Sequence, residues 1–281
     1  MIAICPNPFR DSELKYTRQA AEMLHAAGYE TAVCPVFAED APQMIPEDIK
    51  ATTLDAVRSR CSLVVVIGGD GTILSAARQL HNADIPILGV NLGSKGFMAA
   101  LEPEHMQLIV KAAAGEYTVS RRMMLDIELE RGGEIIYRDK ALNDVVLHGY
   151  GDCIRLTAWC AGDRITSFSG DGIILSTPTG STGYSMSAGG PIVEPEASAI
   201  IVSPICAHMM SARSYVLGAS HDVSVLAEKL HGRRAYISVD GNSVMDLANG
   251  DLLRVRRSER CILMADMGLK SFFDLTFEKL T

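Results

Sequence analysis

The chain has 281 residues, a formal net charge of −8, and 48% hydrophobic residues. That length fits one large domain or two smaller ones, and the apolar fraction supports a sizeable core, which excludes gross disorder. The acidic balance argues against nucleic-acid binding, which needs basic surface. It leaves an anionic small molecule open as a substrate, because clustered backbone amides cradle phosphate.

No stretch approaches the roughly 18 apolar residues of a membrane helix. The start, MIAICPNPF, lacks a signal-peptide pattern. The seven cysteines are scattered without CxxC spacing. Together these predict a cytoplasmic chain with no membrane association, reduced and mostly buried thiols, and no zinc site.

In chain order, Ile2–Cys5 is a short strand ended by Pro6-Asn7-Pro8, and Asp11 or Ser12 caps a helix that Gly28 stops near Ala27. A β-branched segment follows at Thr31–Val36, and Asp48–Arg58 is helix-like. Leu63–Ile67, LVVVI, reads as a strand buried on both faces. It runs into Gly68-Gly69-Asp70-Gly71-Thr72, then helical ILSAARQL, a strand at Ile85–Val90, and a helix over Glu104–Ala114 ended by Gly115. Strand, glycine turn, helix and strand again predict a parallel α/β sheet.

From Tyr117 to about Met264 the segments become short, alternating and turn-rich, which predicts a mainly antiparallel β domain. The domains are therefore placed at 1–115 and 116–265. Residues 266–281 are expected to complete the first.

Three motifs carry chemistry. In Gly68–Thr72, consecutive glycines let amides approach phosphate, and the next helix brings its positive N-terminus to the same place. The carboxylate of Asp70 suits a hydroxyl, as proton acceptor, or a metal ion that bridges phosphates. The helix terminus is expected to hold it ionised. An ordinary β-turn is the plain alternative. No GxxxxGK[ST] or complete GxGxxG occurs.

The second motif runs from Gly170 to Pro191, GDGIILSTPTGSTGYSMSAGGP. Its hydroxyls and amides suit the polar edges of a base, ribose or phosphate, and Tyr184 suits a ring contact. The third is Asn143-Asp144 within ALNDVVL, a polar pair that either meets a ligand or ends a strand. His148 and His208 read as structural residues, Trp159 as core, and Asp240-Gly241 as a hairpin turn. No HxxH or HExxH spacing marks a metal site.

Taken in chain order, Gly68–Thr72, then Asn143-Asp144, then Gly170–Pro191, with PILGVNLGSKGFMA after the first of them, the three motifs resemble the NAD kinase family over about Leu63 to Val216. The resemblance implies an α/β N-terminal domain, a β-rich C-terminal domain, NAD bound between them, and phosphorylation of its adenosine ribose. ATP, or another phosphoryl donor, and Mg²⁺ are the implied co-reactants, and a homodimer or homotetramer is the implied assembly.

Residue by residue, Asp70 would contact the ribose as general base. Gly68, Gly69, Gly71 and Thr72 would hold phosphates. Asn143 and Asp144 would bind the adenosine half, and Thr179, Thr182, Gly183 and Tyr184 would line its pocket with Ser187 nearby. Asp171 would face the nicotinamide half across a subunit interface, and Asp240 would be a further substrate contact. Three positions depart from the family pattern: Asp144 replaces glutamate, Gly183 replaces alanine, and Ser94-Lys95 stands in the glycine loop, where Lys95 is either solvated or meets a phosphate. A lipid kinase that shares GGDGT, or a non-catalytic NAD(P)-binding regulator, is the competing reading.

Overall fold

A computed structural model describes residues 1–37, 44–80, 82–93, 96–209 and 212–280. Contacts divide the chain into two compact units, Met1–Arg122 with Ile262–Thr281, and Met123–Cys261.

The first unit is α/β. Its elements are β1 (Ile2–Pro6), α1 (Lys15–Ala26), β2 (Thr31–Val33), α2 (Leu54–Val57), β3 (Leu63–Gly68), α3 (Asp70–Leu80), β4 (Ile87–Asn91) and α4 (Leu108–Ala113). The strands pair in parallel in the order β2-β1-β3-β4. Every residue of β1, β3 and β4 is buried, as continuous apolar runs require when helices cover both faces of a sheet. Helix α1 buries Thr17, Ala20 and Leu24 at helical spacing. Asp11 sets its start, accepting from the amides of Tyr16 and Thr17, each at 2.9 Å, and from the Thr17 hydroxyl at 2.7 Å. Gly28, at φ +85°, ends it.

Two predicted helices are shorter than their patterns suggested. Of Asp48–Arg58 only Leu54–Val57 is α-helical, because Thr53 caps it by accepting from the Ala56 amide at 3.3 Å. Of Glu104–Ala114, Leu108–Ala113 is α-helical and Pro103–His105 forms a separate 3₁₀ turn. Pro103 fits the first position of that turn because it has no amide to satisfy.

The second unit is almost entirely β. It contains β5 (Thr118–Arg131), β6 (Glu134–Ala141), β7 (Asp144–Gly149), β8 (Ile154–Cys160), β9 (Asp163–Gly170) and β10 (Gly172–Ser176). After the short helix α5 (Tyr184–Ser187) come β11 (Ala199–Ile205), β12 (Tyr215–Gly218), β13 (Val223–Glu228), β14 (Ala235–Val239), β15 (Asn242–Leu247) and β16 (Leu252–Asp266). One sheet has the antiparallel order β12-β11-β10-β7-β14-β15, while β16, β13, β8 and β9 pair antiparallel in another. Alternate residues of β10 separate the two faces of its sheet. Ile173 and Leu175 join the main core, whereas Ile174 packs with Val146 and Ile205 on the opposite side, where Ala188 lies against them.

β5 and β16 begin in one unit and end in the other. Met264, late in β16, pairs in parallel with Ile87, and α6 (Phe272–Leu280) follows it in the first unit. Trp159, expected in the core, is half-buried on β8. All seven cysteines are free thiols, but Cys5 and Cys34 alone among them are buried, and Cys206 is exposed.

Candidate active site

In the first unit, β1 and β3 are neighbours whose following connections lead to opposite edges of the sheet. In an open α/β sheet a ligand crevice forms outside the carboxyl ends of such a pair. Asn7, just past β1, donates through Nδ2 to Thr72 Oγ1 at 3.0 Å, so the ends of β1 and α3 are tied side chain to side chain. Thr72 is buried and its hydroxyl is held by this bond. Gly68 serves the same packing, because a Cβ there would meet Thr72 Oγ1 at 2.5 Å. Gly69 has open space where a Cβ would stand, and Gly71 faces only Phe37 at 3.4 Å. The four positions predicted to hold phosphate thus divide. Gly69 and Gly71 leave room for a ligand beside their amides, while Gly68 and the Thr72 side chain build the turn.

Asp70 opens α3. Its carboxylate accepts from the amides of Phe97 at 2.8 Å and Met98 at 3.3 Å. Gly96 is required beside it, since a Cβ would come within 2.6 Å of Asp70 Oδ1. Lys279 of α6 donates to the Gly96 carbonyl and lies over the Phe97 ring. The helix terminus was expected to lower the Asp70 carboxyl below its ordinary value. Instead, burial pushes its carboxyl above the ordinary aspartate value, against the opposing pull of the Phe97 and Met98 amides and of Lys279 and Arg122. Ser94 and Lys95 lie outside the described residues.

In the second unit, Asn143, Asp144, Asp240 and the turn that begins at Thr179 gather at one end of β7, β10 and β14, while Asp171 lies at the opposite end, beside Gly149. Asn143 is not inside a strand: the chain breaks at Leu142-Asn143 between β6 and β7, and Asp144 begins β7. The break is held from β14. Asp240, at φ +46° in the hairpin turn, accepts from the amides of Leu142 at 2.9 Å, Asn143 at 2.7 Å and Asp144 at 3.1 Å. Asp240 is therefore more than a turn residue, because it fixes the backbone that carries the polar pair. Asp144 is buried, and burial together with the Asp240 charge pushes its carboxyl up to about 7.

The hydroxyl-rich run forms compact turns, a 3₁₀ turn over Thr179–Thr182 and then α5. Thr177 donates to the Leu142 carbonyl at 2.6 Å and accepts from the Gly180 amide at 3.1 Å. Gly180 lies against Asn143, where a Cβ would be 2.2 Å from the carbonyl oxygen. Gly183 is 3.7 Å, at its Cβ position, from Asn143 Nδ2. Thr182 closes the turn by donating to the Thr179 carbonyl at 3.3 Å.

Two polar atoms here are buried without a hydrogen-bond partner, Asn143 Oδ1 and Thr179 Oγ1. Tyr184 is 40% exposed and stacks on His148, and Ser187 is exposed at the end of α5. Asp171 is exposed and bonds the Cys206 thiol. Among the described residues, no three His, Cys, Asp or Glu side chains converge as a metal site, and no helix is long and apolar enough to cross a membrane.

Sequence reasoning missed Asn7, the amides of Phe97 and Met98, Lys279, and the part His148 plays beside Tyr184. Asn7 sits in a plain Pro-Asn-Pro turn, and the amides carry no side-chain signal.

The ATP-NAD kinase N-terminal domain family matches residues 2–117, and the ATP-NAD kinase C-terminal domain family matches residues 142–266. The chain is 36% identical over 277 residues to an NAD kinase of Acetivibrio thermocellus, covering 98% of this chain and 94% of that protein. It is 33% identical over 282 residues to an NAD kinase of Ruminiclostridium cellulolyticum, covering 99% and 97%. Among solved structures, yeast NADH kinase complexed with NADH superposes with a TM-score of 0.86 at 27% identity, over 99% of this chain and 86% of that one. An NAD kinase from Archaeoglobus fulgidus in complex with ATP gives 0.76 at 25% identity, over 100% and 98%. With both domain families matched in order and relatives this similar along nearly the whole chain, the chain belongs to the NAD kinase family.

Proposed function

We propose that, in phosphorylating NAD, this chain takes the phosphoryl group from ATP and delivers it to the 2′-hydroxyl of the adenosine ribose, with Asp70 as the base. The observation that carries the assignment of the adenosine pocket is the pair of orphaned atoms, Asn143 Oδ1 and Thr179 Oγ1. A buried polar atom without a partner costs about 1–3 kcal/mol, and a purine presents the in-plane donors and acceptors that answer both. Tyr184 supplies an exposed ring face for the same end of the coenzyme. Thr182, Gly183, Asp144 and Ser187 line the pocket, and Asp171 reaches the nicotinamide half.

The raised carboxyl of Asp70 favours its role. A base is most effective when its affinity for protons approaches that of the medium, and burial moves Asp70 in that direction. The Phe97 and Met98 amides hold both carboxylate oxygens in place. Gly69 and Gly71 offer amides to phosphate.

The residues present fit a magnesium ion that arrives with the triphosphate. The described residues contain no cage for one, and Mg²⁺ commonly binds through one or two carboxylates, waters and substrate phosphates. When bound, it neutralises charge on the transferring phosphoryl group. Asp70 is the carboxylate of this chain that would meet it. On the same reading the protein works in the cytoplasm as a homodimer or homotetramer.

The test is incubation with Mg²⁺, ATP and NAD, followed by assay for NADP. Asp70→Asn retains an acceptor for one loop amide but removes the base. It should lower turnover by about 10²- to 10⁴-fold while NAD still binds. Turnover above about a tenth of wild type would contradict the range for a lost general base and move the assignment to Asp144 or Asp240.

A further inference from the structure

In the second unit, Tyr184 ends a row of four rings, the first three of them stacked. Its centroid lies 5.4 Å from that of His148, with 17° between planes. His148 lies 5.2 Å from Tyr236 at 15°, and Tyr236 lies 4.6 Å from Tyr150 at 39°. The Arg234 guanidinium covers Tyr150 at 4.5 Å. Asp246 anchors that far end, accepting from the Tyr150 hydroxyl at 2.9 Å and from Arg234 at 3.3 Å.

The two middle rings are fixed by the sheet. His148 on β7 and Tyr236 on β14 are direct cross-strand partners, so their side chains share one face about 5 Å apart. Tyr184 has no such support of its own. It begins a helix of four residues with no side-chain cap, and its ring is 40% exposed. His148 is half-buried between two tyrosine faces, and burial lowers its affinity for protons against the opposing pull of Asp171. At neutral pH it therefore meets Tyr184 as an uncharged flat ring.

We propose that His148 is a positioning residue for NAD: clamped by β14 through Tyr236, it sets the plane in which Tyr184 meets the coenzyme. The proposal rests on the reading above, in which Tyr184 lines the NAD pocket. His148 itself touches no substrate. Its effect is on coenzyme binding, because a mobile Tyr184 must be ordered each time NAD enters.

The experiment compares His148→Leu, His148→Phe, Tyr184→Ala and the double variant His148→Leu/Tyr184→Ala. KM for NAD, KM for ATP and kcat are measured at pH 7.5, and thermal unfolding checks that each variant is folded. Leucine keeps bulk but has no flat face, so His148→Leu should raise KM for NAD about 3- to 10-fold, the scale of one aromatic pair. It should leave KM for ATP and kcat within about twofold, as loss of a ground-state contact does. Phenylalanine restores the face, so His148→Phe should stay within about twofold of wild type in all three. The double variant should be no worse than Tyr184→Ala, since the two changes act on one contact.

A His148→Phe variant as impaired as His148→Leu overturns the proposal, as do independent, multiplying effects in the double variant. If Tyr184→Ala raises KM for NAD while His148→Leu does not, the positioning role fails and the Tyr184 pocket stands. If Tyr184→Ala leaves KM unchanged, both fail.

Discussion

At the scale of single residues, the fold treats three carboxylates differently. Asp240 is met by three amides, Asp70 by two, and Asp144 is buried with the Asp240 charge beside it. Asp144 titrates near 7 in the fold and near 3.9 when unfolded. Its contribution to stability is therefore complete below about pH 4. That contribution is lost as pH rises toward 7, because the unfolded chain ionises first. Asp144→Asn removes the loss. The variant should match wild type near pH 4 and exceed it above pH 7. At about 1.4 kcal/mol for each tenfold displacement of the proton equilibrium, the gap reaches at most on the order of 4 kcal/mol. Denaturant melts at pH 4.5 and pH 8 would show it, and a gap that does not widen with pH would mean that Asp144 ionises in the fold without penalty.

Of these three residues, only Asp70 stood out in the sequence by itself, because glycines on both sides made a carboxylate conspicuous. The direction of its proton affinity was not legible. The dipole of α3 is a local feature, while the burial that outweighs it comes from the whole surroundings of the loop. Asp240 looked like any Asp-Gly turn, since its partners lie 96 to 98 positions earlier in the chain.

Among elements, the runs that a sheet buries on both faces were the most legible. LVVVI needed no context to be read as a strand, and β3 spans Leu63–Gly68. Helices α2 and α4 were over-read because the helix-like patterning starts before the helices do: Thr53 caps α2, and a separate 3₁₀ turn at Pro103–His105 precedes α4. The hydroxyl-rich run was read as a ligand segment, but its helical turns were not foreseen. Gly180 and Gly190 are there because neighbouring backbone and side chains leave no room for a Cβ, and that is invisible without the neighbours.

The β3–α3 turn offers a direct test of its two kinds of glycine. Gly68→Ala would drive a methyl into Thr72 and the Asn7 contact, so it should destabilise the first unit by about 1–3 kcal/mol, as overpacking does. Gly69→Ala has open space and should melt within about 1 kcal/mol of wild type, while raising KM for ATP because the methyl would crowd the amide proposed to meet phosphate. Equal melting temperatures for the two variants would contradict this division.

For the whole molecule, the sequence showed a change of texture near Gly115 and suggested that the last residues return to the first domain. In the structure the chain passes from one unit to the other between Arg122 and Met123 and back between Cys261 and Ile262. The sequence reading put these points at 115 and 265. Texture could not locate them because β5 and β16 run through both boundaries without a turn. The proposed closed oligomer belongs to this scale as well. Light scattering on fully active protein should give two or four times the 30.3 kDa chain mass, and a monomer with full activity would refute it.

The interrupted first unit has a consequence for synthesis. Residues 1–122 leave the ribosome early, but the strand whose Met264 lies beside Ile87, and the helix that carries Lys279, arrive only after all of Met123–Cys261 has been made. At ordinary elongation rates the delay is on the order of ten seconds. Through that interval the Ile87 end of one flank of β4, buried in the finished protein, stands open with unsatisfied main-chain groups, while Leu101 already pairs with its other end at Val90. The nascent chain is thus most vulnerable to mispairing midway through translation, when its Gly68–Thr72 turn is already made but the segment that completes its sheet is not.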